Sequence, residues 1–144
     1  MKRYILTTFA LCCFSSTLWA AGNYPVKNFK PSPKADVQAF ESVMQAVAAQ
    51  SPKKVLTPLQ LLRGLPMDAE SKVKTYTWCA KPVHGKQVCT LREENLPDDS
   101  VAGSLQKITF TATKTAWQVT AIQRAWRCQV GRGNAAAYQT RLCK

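Results

Sequence analysis

Val37, Phe40, Val43 or Met44, and Val47 recur every three to four positions, separated by Gln38, Glu41 and Gln45. That period predicts an amphipathic helix over residues 33–50. Ser32 is its expected N-cap, and Pro33 occupies the first helical position, where a missing N–H costs nothing. The apolar stripe is of the kind that buries against the rest of its own domain. Thr57-Pro58-Leu59-Gln60 gives a second, tighter start signal: a threonine cap, a first-turn proline, and a glutamine at capping-box spacing. Gly64 and Pro66 stop this helix early, so it is expected over residues 58–64.

From Lys72 onward the period drops to two. Residues 73–79, rich in β-branched and aromatic side chains, read as a strand. Pro82-Val83-His84-Gly85 reads as a turn, and residues 87–91 return, which places Cys79 opposite Cys89 in a hairpin centred on His84. Residues 93–99 hold half of all the acids and are expected to form an exposed loop. Ile108, Phe110 and Ala112 alternate with polar neighbours as a third strand. A fourth strand contains a conflict of phase. Trp117, Val119 and Ala121 are odd-numbered, whereas Ile122, Trp126, Cys128 and Val130 are even-numbered. Either a β-bulge near residues 121–123 switches the faces, or both faces are covered there. Residues 131–134 end the strand, and residues 135–142 read as irregular chain rather than a short helix or fifth strand. The expected fold is α+β: two N-terminal helices on a four-stranded antiparallel meander.

The first twenty residues carry an address. Met1-Lys2-Arg3 precedes a short apolar run, and small residues Ala20, Ala21 and Gly22 close it. This is the layout of a secretory signal peptide, cleaved after Ala20 or Ala21, and the run is shorter than the roughly 20 residues that span a bilayer. No small residue precedes Cys12 or Cys13, which argues against a lipoprotein processing site. The organisation expected is a signal peptide at 1–20, an extended arm at 21–32 with Pro25 and Pro31, and one domain at 33–144. The protein is expected in the periplasm or secreted. In an oxidising compartment the remaining cysteines, Cys79, Cys89, Cys128 and Cys143, read as disulfides. Proximity favours Cys79–Cys89 and Cys128–Cys143; the spacing does not suit the competing zinc site.

Catalytic patterns do not emerge. Gly131-Arg132-Gly133 lacks the Lys-Ser/Thr of a phosphate loop, and His84, the single histidine, falls in a turn with no scaffold to fix it. No catalytic residue, metal site or cofactor is expected. Charge is the stronger signal. The chain has 144 residues and a net charge of +12, which becomes +10 when Lys2 and Arg3 leave with the signal peptide. Residues 101–144 contain seven basic side chains and no acid. Among them Arg124, Arg127, Arg132 and Arg141 are interleaved with Trp126 and Tyr138, held near one another by the second disulfide. Guanidinium groups beside aromatic rings suit phosphates and carboxylates. The expectation is a non-enzymatic binding module whose anionic partner is an envelope glycan, lipopolysaccharide, nucleic acid or an acidic protein. One alternative is an inhibitor or envelope assembly factor inserting loops 81–86 and 131–141 into a protein partner. A second is a small secreted hydrolase or toxin.

Overall fold

The computed structural model describes Val26, residues 28–66 and residues 72–144. The expected signal peptide and its cleavage site, half of the expected arm, and Asp68 and Glu70 lie outside the described residues. Two helices, α1 (Lys34–Ala49) and α2 (Pro58–Arg63), join a sheet of β1 (Lys30–Pro31), β2 (Lys74–Cys79), β3 (Lys86–Glu94), β4 (Val101–Ala112) and β5 (Trp117–Cys128). The strand order is β1-β5-β4-β3-β2, and every neighbouring pair is antiparallel. The meander is therefore as expected, but the sheet has five strands. The fifth comes from the arm: Lys30 pairs with Arg124, Pro31 with Gln123, and the Ser32 amide donates to the Ile122 carbonyl at 2.8 Å. This short strand covers part of the β5 edge, whose backbone groups would otherwise be left without partners. It also takes Ser32 out of its expected role, for α1 is capped by Pro33 with no side-chain hydrogen bond.

The α2 cap forms in full. The Gln60 amide donates to Thr57 Oγ1 at 3.3 Å, and the Thr57 amide donates to Gln60 Oε1 at 3.0 Å. Met44 and Val47 of α1 and Leu61 and Leu62 of α2 bury against Cys89, Leu91, Ile108, Phe110, Val119 and Ile122 on one sheet face. At the tip of the β2–β3 hairpin, His84 (φ 48°) and Gly85 (φ 71°) both take positive φ, and Val83 and Lys86 exchange two backbone hydrogen bonds. That is the two-residue turn whose twist matches the flanking strands. Cys79 faces Cys89 directly, and the two are joined.

A bulge resolves the phase conflict in β5. Thr109 pairs with Ala121 and Phe110 with Val119, so Thr120 is the extra residue. Trp117, Val119 and Ile122 thereby reach the same core. The bulge sits just upstream of the expected 121–123. Its Val119 amide is taken by α1, donating to Glu41 Oε2 at 2.6 Å. A side chain from the helix thus completes the sheet where its ladder is interrupted.

The expectation for residues 93–99 is corrected. Glu93 and Glu94 belong to β3, and Glu94 is buried. The turn is confined to residues 95–100, where Asp98 Oδ1 accepts the Ser100 and Val101 amides at 2.7 Å each. Those two hydrogen bonds hold the Asp98 carboxyl below the usual carboxylate range. A local run of acids reads as a loop, but a cationic partner distant in sequence makes a strand position tolerable for Glu94.

Glu41→Ala should lower stability by about 1–3 kcal/mol, the cost of leaving a buried amide without an acceptor. Glu41→Gln, which keeps a side-chain oxygen, should recover most of it. Urea unfolding measures both; equal losses in the two variants would show that the amide contact contributes little.

Candidate functional site

Alternation along β5 divides the basic–aromatic set. Arg124 lies on the helix-covered face, where its Nη1 donates to Asp36 Oδ2 at 2.9 Å. Trp126 shares that face, and its backbone exchanges hydrogen bonds of 2.8 and 2.9 Å with Gln139 of the C-terminal segment. Arg127 points to the opposite face and donates to Glu94. Tyr138 is 1% exposed. Only Arg132 and Arg141 of the six stand exposed. Neighbours in the sequence are thus separated by the strand, because consecutive side chains leave opposite faces.

The buried members surround a carboxylate that sequence reasoning misplaced. Glu94 accepts from Arg127 and, at 2.5 Å, from the Tyr138 hydroxyl, while Arg92 Nε lies 3.8 Å away. Arg92 also stacks over Tyr76, 4.5 Å from the ring centroid. Gly103, directly across from Glu94, leaves the room: a Cβ there would lie 2.8 Å from the Tyr138 hydroxyl and 2.9 Å from the Glu93 carbonyl. The available signal was alternation, since Lys86, Val88, Thr90, Arg92 and Glu94 fall on one face of an uninterrupted strand. Burial first, and then the hydrogen bond to Glu94, raise the Tyr138 phenol above its ordinary value of 10.0.

This network seats the C-terminal segment over Leu105 and Ala125, with Phe29 of the arm beside it. The second expected disulfide, Cys128–Cys143, closes the segment into a loop. Asn134 Oδ1 accepts the Ala136 and Ala137 amides at 3.0 and 3.1 Å, and the Lys144 amide donates to the Arg132 carbonyl at 2.8 Å. Arg132, Arg141 and Lys144 line a hollow of about 450 Å³ on this loop.

The six described side-chain carboxylates each have a partner within the molecule, Asp98 and Asp99 at the exposed surface. Asp36, Glu41, Glu94 and Asp98 have the partners given above; Glu93 accepts from Ser104 Oγ at 2.7 Å, and Asp99 lies 4.0 Å from Arg132. Lys74, Lys86, Lys114, Arg141 and Lys144 are exposed and, among the described residues, have no carboxylate at ion-pair distance. His84 is exposed at its turn. With all four cysteines in disulfides the zinc alternative is removed, and among the described residues no group of three or more His, Cys, Asp or Glu side chains could hold a metal ion. Loops 81–86 and 131–141 stand at opposite ends of the sheet, about 30 Å apart along the nine residues of β3. One cleft therefore cannot take both. No protein-family model matches the chain, and no curated protein or solved structure is significantly similar to it.

Tyr138→Phe should cost about 1–3 kcal/mol at neutral pH by leaving Glu94 one donor short. Because the folded phenol has a raised pKa, its contribution is complete below pH 10 and declines as pH rises further. The variant should therefore lose stability less steeply above pH 10 than the parent; parallel alkaline limbs would contradict this. Gly103→Ala should cost about 1–3 kcal/mol as an overpacked site, read from urea midpoints.

Proposed function

We propose that this protein is an exported, non-catalytic binding module that docks on an anionic envelope component through its basic exterior. One observation carries the reading: every described side-chain carboxylate has a partner within the molecule and, apart from Arg132 beside Asp99, the exposed cations among the described residues have no carboxylate at ion-pair distance. A charge field of one sign attracts partners of the other and raises their encounter rate. The hollow formed by Arg132, Arg141 and Lys144 is its best-defined anchor, on a loop fixed by a disulfide and by the Glu94 network. Two forked guanidinium groups there suit phosphate or carboxylate oxygens. Export is supported by the signal-like N-terminus and by two disulfides, which persist in oxidising compartments. Among the described residues no helix is long and apolar enough to cross a membrane.

The test is retention of the purified, oxidised protein on envelope preparations across a salt series. A variant carrying Arg132→Gln, Arg141→Gln and Lys144→Gln is run alongside. Arg124 and Arg127 are left alone because both serve the fold. Retention should fall steadily between about 0.1 M and 1 M salt, as the screening length shrinks from about 10 to 3 Å. The variant should bind about tenfold more weakly, as expected for three exposed pairs of about 0.2–1 kcal/mol each. Binding that ignores salt and survives in the variant would replace this reading with a protein partner recognised by shape.

A further inference from the structure

The sheet face opposite the helices is covered only over its lower half. Register places five rows across it. The two lower rows, Tyr76–Arg92–Leu105–Ala125 and Lys74–Glu94–Gly103–Arg127, hold the residues that meet the C-terminal segment and the arm. The rows above are Trp78–Thr90–Lys107–Gln123, then Val88–Thr109–Ala121, then Lys86 with Thr111 and Thr120. Trp78, on the edge strand β2, is 49% exposed, and Val88, on the neighbouring β3, is 40% exposed, which together leave an apolar patch open on this face. Lys86 and Lys107 are exposed beside them, and Lys107 is steadied by the Phe29 ring, 4.2 Å from its ammonium. Among the described residues the only carboxylate on this face is Glu94, buried below.

We infer that this open half-face is a platform for an anionic polysaccharide, with a sugar ring on Trp78 and the acid groups met by Lys86 and Lys107. The inference rests on the anionic-partner reading above and gives it a ligand class and a second location. Charge complementarity sets the sign of the occupant. The surface chemistry sets its kind. Threonine hydroxyls both donate and accept, as sugar hydroxyls do; between the two lysines the Thr111 and Thr120 hydroxyls share a hydrogen bond of 3.1 Å, and Thr120 Oγ1 lies 3.3 Å from the Thr109 carbonyl that it can donate to. An indole offers a large, rigid apolar face with a polar edge. Trp78 and Lys107 are two strands apart, about 10 Å, within reach of neighbouring sugars. Single-stranded nucleic acid is disfavoured because its platforms stack successive bases on several aromatic rings. Here Tyr76 is already covered by Arg92, which leaves Trp78 as the aromatic of the open rows.

The experiment titrates the oxidised protein with a polyuronate, a neutral dextran of similar length and an oligothymidylate, following tryptophan fluorescence and calorimetry. Trp78→Ala, the pair Lys86→Gln with Lys107→Gln, and the Arg132/Arg141/Lys144→Gln variant are compared, each checked by circular dichroism. Polyuronate affinity should fall at least about tenfold in the first two, fall far less in the third, and exceed that for dextran and oligothymidylate. Polyuronate binding lost only in the third variant would overturn the platform and leave the anionic-partner reading standing. Tighter oligothymidylate binding through Trp78 would overturn the polysaccharide assignment. Failure of every anionic probe, with envelope binding also absent, would overturn both.

Discussion

Glu94 ends β3 with its carboxylate beneath the C-terminal segment, and three parts of the chain meet on it. Arg92 comes from the same strand, Arg127 from β5, and Tyr138 from beyond the last strand. A carboxylate removed from water is costly unless its lone pairs are taken up; here Arg127 and the Tyr138 phenol donate to it, and Arg92 adds a second positive charge 3.8 Å away. The result is a buried site with net positive charge, stabilised in turn by the Tyr76 ring against Arg92. Three features of the fold depend on this arrangement. With the tail seated, Gln139 pairs with the β5 edge, the Cys128–Cys143 loop is held against the sheet end, and half of one sheet face is closed.

The other sheet face is built by more ordinary means, and that is where the sequence was most legible. The 3.6-residue stripe of α1, the Thr57–Gln60 capping box, the His84-Gly85 turn and the phase switch in β5 are all local signals, and each corresponds to a local structure. Two things were not legible. Glu93 and Glu94 look like loop residues because their charge is visible in sequence while the neutralising Arg127, 33 positions away, is not. The Arg–aromatic run looks like one surface because its members are close in sequence, whereas strand alternation sends Arg124 to Asp36 and Arg127 to Glu94 on opposite faces. Ser32 failed as a cap for a related reason: pairing of the arm with β5 claimed its backbone first. Long-range pairing overrode local preference in all three cases.

The same pairings shape the exterior. Acids are engaged by a bulge amide, a turn, a helix-to-sheet tie and the Glu94 site, so the fold uses its negative charge as internal fastening. Lysines and, among the described residues, Arg63, Arg132 and Arg141 remain for the surface. The basic character is therefore a property of the folded molecule and not of composition alone. Its distribution is uneven as well. Arg132 and Arg141 lie on the disulfide loop at one end, and the open half-face beside the hairpin carries lysines around an exposed tryptophan.

Native-state amide hydrogen exchange on a Glu94→Gln variant tests this dependence most directly, under conditions where circular dichroism shows the variant folded. The Gln139 and Cys128 amides, which bond to Trp126 and Asn134 carbonyls, report on the tail; the Val119 amide, held by Glu41, reports on the helix-covered face. Loss of protection confined to Gln139 and Cys128, with Val119 unchanged, is the predicted result, because local opening follows the contacts removed. Tail amides that keep their protection would contradict the claim that Glu94 seats the C-terminal segment.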